Sequence, residues 1–120
     1  MEIRLQAFES LDSTNNYLKK LAAEGAAEGT VVVADKQTAG RGRMGRSFAS
    51  VAGCGIYMSM LLRPANCTPD CAQSLTAVCA VAVCRAVEKV CGRAPGIKWI
   101  NDLYLRGKKI CGILCESSVK

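Results

Sequence analysis

Between residues 69 and 91, apolar side chains recur at steps of three, one and four, through Ala72, Leu75, Val78, Cys79, Ala82, Val83, Ala86, Val87 and Val90. This is the strongest constraint on the fold. The spacing predicts one long helix from Pro69 to Cys91, stopped by Gly92, whose wide apolar face must be covered. The remaining apolar segments have strand periods. Ile3 to Phe8 alternates, and Thr30 to Ala34 is a β-branched run of the buried type. Gly55 to Leu62 turns Tyr57, Ser59 and Leu61 one way and Ile56, Met58, Met60 and Leu62 the other, and Pro64 closes it. Ile97–Ile100, Leu103–Leu105 and Lys109–Cys115 read as short strands, with Arg106-Gly107 as the tight turn joining the last two. A second helix opens at Asp12-Ser13-Thr14-Asn15, which offers several capping side chains, and Gly25 and Gly29 end it. The order strand, helix, strand, strand, helix, run of strands predicts an α/β (α+β) fold, a mixed β-sheet packed with helices. At 120 residues, half of them hydrophobic, the chain is one domain or part of one and can bury a core.

Composition excludes several function classes. Met1-Glu2-Ile3-Arg4 is charged and no apolar stretch follows it, so no secretory leader is expected. The longest apolar run, Ala77 to Val83, is far too short to span a bilayer, so no membrane partner is expected. Eight cysteines without a leader read as reduced thiols of a cytoplasmic protein. Cys67 and Cys71 are four apart, as are Cys111 and Cys115, but there is no C-x-x-C and no histidine, so no metal ligands are assigned. Cys79, Cys84 and Cys91 read as small apolar residues on the helix. The lack of histidine also removes any Ser-His or Cys-His nucleophile. A net charge of +6 suits nucleic acid, an acidic protein or a polyanionic small molecule, and does not choose among them.

The segment richest in chemistry is Gln37-Thr38-Ala39-Gly40-Arg41-Gly42-Arg43-Met44-Gly45-Arg46. Glycines let backbone N–H groups turn toward a ligand, and arginines supply permanently charged planar forks for phosphate or carboxylate. The literal Gly40-x-Gly42-x-x-Gly45 match to a dinucleotide fingerprint needs a helix opening at the loop, and Ser47 to Gly53 is not a convincing one. A solvated basic hairpin tip and an RNA-binding Gly-Arg segment are the alternatives. Further on, Lys98-Trp99-Ile100-Asn101-Asp102 puts Lys98 and Ile100 on one face of a strand and Trp99 on the other, where Trp99 is expected in the core. Lys109 begins an apolar strand after the predicted turn.

Taken together, the pattern resembles the catalytic domain of biotin–protein ligases, the bacterial biotin–acetyl-CoA-carboxylase ligases. Four elements match in order: Asp12-Ser13-Thr14-Asn15, the Gln37–Arg46 loop, Lys98-Trp99-Ile100-Asn101-Asp102-Leu103-Tyr104, and Lys109 to Glu116. Gly55 to Pro64 fits the family's strand after the loop, so the likeness covers nearly the whole chain. The resemblance implies the class II aminoacyl-tRNA synthetase-like fold of biotin and lipoate ligases. It implies joining biotin to ATP as biotinyl-5′-adenylate with Mg²⁺, then passing biotin to a lysine of a biotin carboxyl carrier protein. A lipoate–protein ligase shares the fold, and the Gly-Arg-Gly-Arg loop argues for biotin.

By the same resemblance, Ser13, Thr14 and Gln37 hydrogen-bond the ureido end of biotin, with Asn15 beside them. Arg41, Gly42 and Arg43 form the loop that closes over the adenylate, and Lys98 is near the phosphates. Asn101 and Asp102 help place the adenine and the metal or the incoming lysine, and Lys109 contacts the biotin carboxyl or acyl-phosphate oxygen. Two departures stand out: Ile100 replaces a proline common in the motif, and Phe48 stands where tryptophan is usual. Residues 1–120 are expected to be the N-terminal part of the catalytic domain, incomplete, without a winged-helix domain or C-terminal barrel. No operator binding is expected, and an open sheet edge is expected to favour a homodimer.

Overall fold

The computed structural model describes residues 1–66, 68 and 70–117, apart from the side chain of Ala72. The chain divides into two compact units, Met1–Ala65 and Asn66–Ser117.

In the first unit β1 (Arg4–Leu11), α1 (Thr14–Ala23), β2 (Thr30–Gln37) and β3 (Tyr57–Met60) follow in that order. The sheet order is β1-β2-β3, with β1 and β2 parallel and β2 and β3 antiparallel. A parallel pair needs a crossover, and α1 supplies it. Cross-strand partners share a face, so Gln6, Val32 and Ser59 form one row and Phe8, Ala34 and Tyr57 the next. This is the face α1 covers. Val32, Ala34 and Leu18 are buried there, and the Phe8 ring meets Tyr17 of α1 with centroids 4.8 Å apart. On the other face, Leu5 and Met58 remain exposed. Ser13 caps α1, its Oγ accepting the Asn16 N–H at 3.2 Å. At the far end, the Arg63 guanidinium donates to the Ala22 carbonyl in the last turn of α1 and to the Ala26 carbonyl just beyond it.

The second unit contains α2 (Cys71–Cys91), β4 (Gly96–Lys98), β5 (Asp102–Leu105) and β6 (Lys108–Gly112), the strands antiparallel in that order. Gly92 ends α2 at φ 73°. Arg106 and Gly107, at φ 53° and 76°, make the two-residue turn expected between β5 and β6. Two positive φ values suit the twist of a tight hairpin. Leu103, Ile100 and Ala80 form the buried centre of this unit.

Several expectations are corrected here. The expected mixed sheet packed with helices is present in the first unit, and the remaining strands form a second, antiparallel three-stranded sheet. The helix seam runs through Ala80, with Thr76, Val83, Cys84 and Val87 half-buried, while Val78 and Val90 are 62% and 84% exposed. The short strands cover a narrower line of the helix than its sequence offers, and Ala80 alone among the described residues of α2 is fully buried. Pro69 and the Ala72 side chain lie outside the described residues, as does Cys67. Trp99 is 72% exposed because it lies in the turn between β4 and β5, not in the core. Six cysteines are free as expected, whereas Cys71 is disulfide-bonded. No helix among the described residues is long and apolar enough to cross a membrane.

Candidate functional site

The first unit gathers a cluster of buried hydroxyl and amide groups beneath the start of α1. Ser13, Thr14, Ser50 and Ser59 are all under a tenth exposed. Buried polar groups persist only when hydrogen-bonded, and these are. The Thr14 N–H donates to Gln37 Oε1 at 2.8 Å, and Thr14 Oγ1 lies 3.1 Å from the same oxygen. Gln37 Nε2 donates to Ser50 Oγ at 2.9 Å, and Ser50 in turn donates to the Phe48 carbonyl at 3.1 Å. Thr14 Oγ1 lies 2.7 Å from Ser59 Oγ, which also contacts Asn15 Oδ1. Thus four residues expected at a biotin site (Ser13, Thr14, Asn15 and Gln37) converge. Ser50 and Ser59 join them unforeseen. Ser59 has a signal in the sequence, a small hydroxyl in an otherwise apolar strand, and Ser50 has none.

The Gly-Arg loop folds back on itself. Arg41 bridges Ser47, the Gly42 N–H donates to the Arg46 carbonyl at 2.7 Å, and the Phe48 N–H donates to the Gly40 carbonyl at 2.8 Å. Only a single tight turn, Arg43–Gly45, interrupts it, so no helix opens here and the dinucleotide reading fails. Gly40 is obligatory for steric reasons. A Cβ there would lie 2.6 Å from the Phe48 carbonyl oxygen, 2.6 Å from Ser50 Oγ and 2.9 Å from Gln37 Nε2. The loop is anchored by Thr38 and Ala39 N–H groups donating to the Leu11 and Asp12 carbonyls at 2.9 and 2.8 Å. Arg41 donates through Nη2 to Asn16 Oδ1 at 2.6 Å, and Asn16 Nδ2 donates to Asp12 at 3.1 Å. That bond and the Ser13 N–H hold the Asp12 carboxyl below its usual range. Arg43 and Phe48 lie along the exposed part of the loop.

The second unit carries Lys98, Asn101, Asp102 and Lys109. The two-residue turn pairs Leu105 with Lys108 and therefore Tyr104 with Lys109. Side chains alternate, so Lys109 shares a face with Tyr104 and Asp102, and Lys98, opposite Asp102, joins them. Lys109 Nζ is 3.2 Å from Asp102 Oδ1, and Lys98 Nζ lies 5.6 Å from the Tyr104 ring centroid. Asp102 Oδ1 is buried and lacks an aligned hydrogen bond, so the ammonium charge is its compensation. A bulge between Leu103 and Tyr104 then brings Cys111 opposite Leu103. Burial pushes the Cys111 thiol up, opposed by Lys109 and assisted by Asp102. Asn101 lies in the turn before β5, its carbonyl accepting the Ile113 N–H at 2.9 Å. No group of three or more acidic, cysteine or histidine side chains among the described residues could hold a metal, and the Asp102 oxygen is already matched to a cation.

The sequence profile of the Biotin/lipoate A/B protein ligase family matches residues 7–120. The chain is 49% identical over 109 residues to the bifunctional ligase/repressor BirA of Bacillus subtilis, covering 88% of this chain and 32% of that protein. It is 37% identical over 117 residues to the biotin–[acetyl-CoA-carboxylase] ligase of Mycobacterium tuberculosis, covering 94% of this chain and 44% of that one. A solved biotin protein ligase from Aquifex aeolicus, in complex with biotin and ATP, superposes with a TM-score of 0.84 at 37% identity, over 96% of this chain and 47% of its own. The chain thus spans from 32% to 47% of the length of these relatives. With the profile matched from residue 7 to the end and the same fold in a solved ligase, the chain belongs to the biotin/lipoate A/B protein ligase family.

Proposed function

We propose that this chain carries part of a biotin–protein ligase, which activates biotin with ATP to biotinyl-5′-AMP and transfers it to a lysine of a biotin carboxyl carrier protein. The observation that carries the reading is the buried polar cluster around Thr14 and Gln37, roofed by the Gly40 loop. A cyclic urea offers one carbonyl acceptor flanked by two N–H donors. Ser13 Oγ accepts from the Asn16 N–H, which leaves its own hydroxyl proton available to a ligand acceptor such as the ureido carbonyl. Gln37 holds Thr14 in place beside it.

In the first half-reaction the biotin carboxylate attacks the α-phosphorus of ATP and pyrophosphate leaves. In the second, the carrier amine attacks the acyl carbon and AMP leaves. Both steps gather negative charge, so the protein contributes by positioning and neutralising it. Arg41, Arg43, Lys98 and Lys109 supply the positive charge, and Asn101 and Asp102 orient the nucleotide. Mg²⁺ enters only as the counter-ion of the ATP phosphates, and no step is assigned to it. A cytoplasmic location belongs to the same proposal. Residues 1–120 make up the N-terminal part of the catalytic domain in this reading. Homodimerisation through an open sheet edge belongs to the same proposal and is read by light scattering.

Calorimetric titration with biotin tests the reading, repeated with ATP present. Saturable biotin binding, weakened by Gln37→Ala and by Arg43→Ala, is the expected result. A folded chain that ignores biotin but binds RNA with a steep salt dependence would sink it.

A further inference from the structure

Three oxygen–oxygen contacts meet at Thr14 and Ser59: Thr14 Oγ1 to Ser59 Oγ at 2.7 Å, Thr14 Oγ1 to Gln37 Oε1 at 3.1 Å, and Ser59 Oγ to Asn15 Oδ1. Only two hydroxyl protons serve them. The orientation of Gln37 is fixed from both ends. Its oxygen takes the Thr14 N–H, and its nitrogen donates to Ser50, whose own proton goes to the Phe48 carbonyl. Gln37 Oε1 is therefore an acceptor only, as is Asn15 Oδ1. The Ser59 proton goes to Asn15, which leaves Ser59 Oγ as an acceptor for Thr14. Both acceptors of the Thr14 proton then lie inside the protein. Thr14 and Ser59 are 4% and 7% exposed, so bulk water cannot replace them.

We propose that Ser59 is a positioning residue that draws the Thr14 hydroxyl proton inward, so that Thr14 faces the ligand as an acceptor and selects a ureido N–H. This rests on the biotin reading above. With Ser13 as donor and Thr14 as acceptor, adjacent residues match adjacent groups of opposite polarity on a cyclic urea. Without Ser59, the Thr14 proton keeps only the longer contact to an oxygen that already accepts the Thr14 N–H. The hydroxyl can then rotate outward and oppose the ligand's N–H.

The test compares the chain with Ser59→Ala and Ser59→Thr, by calorimetry with biotin and with both N-methylated isomers of its ureido ring. Ser59→Ala is expected to weaken biotin about five- to tenfold, one net hydrogen bond, and to shrink the preference for biotin over the N-methyl isomer blocking the Thr14 contact by a similar factor. Ser59→Thr, which keeps the hydroxyl, is expected to restore both, and circular dichroism confirms that each variant is folded. A folded Ser59→Ala that binds biotin with unchanged affinity and unchanged preference overturns the proposal. If the unsubstituted chain binds no biotin, the reading above fails on its own terms. The polarity of Thr14 is then decided without ligand, by proton exchange at its hydroxyl in NMR. A Thr14 hydroxyl proton that exchanges slowly, and faster in Ser59→Ala, upholds it, and one that exchanges equally in both overturns it.

Discussion

Replacing Gly40 by alanine puts a methyl group where three atoms already stand. The new Cβ would meet the Phe48 carbonyl oxygen and Ser50 Oγ at 2.6 Å each, and Gln37 Nε2 at 2.9 Å. None is the loose end of a long side chain. Gln37 and Ser50 are hydrogen-bonded to each other at 2.9 Å, and Ser50 is bonded to the Phe48 carbonyl at 3.1 Å. Relief requires spreading the loop by several tenths of an ångström, at the expense of those two bonds. Two hydrogen bonds are worth about 1 kcal/mol each, and overpacking costs roughly 1–3 kcal/mol. Against this, alanine stiffens the unfolded chain, a gain of about 0.4–1 kcal/mol. The net loss is on the order of 2–4 kcal/mol. Gly42→Ala is the control two residues away. Its Cβ would find nothing nearer than Arg46 Cβ at 3.7 Å, and its φ of −106° suits any residue. Its expected change is within about 0.5 kcal/mol. Urea unfolding followed by circular dichroism separates the two, since a loss of that size moves the midpoint by roughly 1–2 M. Equal midpoints for Gly40→Ala and Gly42→Ala would refute the steric argument.

Three further outcomes are expected. Lys109→Ala leaves the buried Asp102 oxygen without its compensating charge and is expected to destabilise the second unit by roughly 1–3 kcal/mol; adding Asp102→Asn should recover most of that in thermal melts, and a double variant no better than the single would count against the pairing. Asp12 is held below its ordinary pKa by Asn16 and the Ser13 N–H, so the unfolded chain takes up the proton first and the stabilisation, complete at neutral pH, fades as pH falls below about 4; the stability gap between the chain and Asp12→Asn should close on acidification, and a gap that widens would overturn this. Burial raises the thiols of Cys79 and Cys111, so at neutral pH both should react with iodoacetamide more slowly than the exposed Cys54 and Cys91, as peptide mass spectrometry can measure.

Elements whose pattern is local were legible in the sequence. The helix start within Asp12–Asn15, the stop at Gly92, the Arg106-Gly107 turn and the alternation along β3 depend on neighbours within a few residues, and the structure shows each. The division into two sheets was not legible, because strand propensity does not say which strand pairs with which. Trp99 failed for a related reason. Alternation assigns a face only while the strand lasts, and β4 ends at Lys98, one residue earlier. The seam of α2 was read as wider than it is, since hydrophobic spacing records what a helix can bury and not the width of what covers it. Ser59 showed only as a lone hydroxyl in an apolar strand, and neither it nor Ser50 carries a sign of its partners, which lie at 13 and 44–45 positions' distance.

Those separations bear on the order in which the chain assembles. The Lys109–Asp102 pair is built within one hairpin, closed by a two-residue turn whose positive φ values are met by its own residues. Hairpins close in about 1–10 μs, before any distant segment must be found. The contact between Thr14 and Ser59 spans 45 positions and requires β1, α1, β2 and β3 to be in register first. Long-range closure is slower because its loop entropy is lost before any contact returns it. A nascent chain therefore acquires its Lys109–Asp102 pair early and its buried polar cluster late, and an assay of the Lys109 environment alone would report a finished protein before that cluster exists.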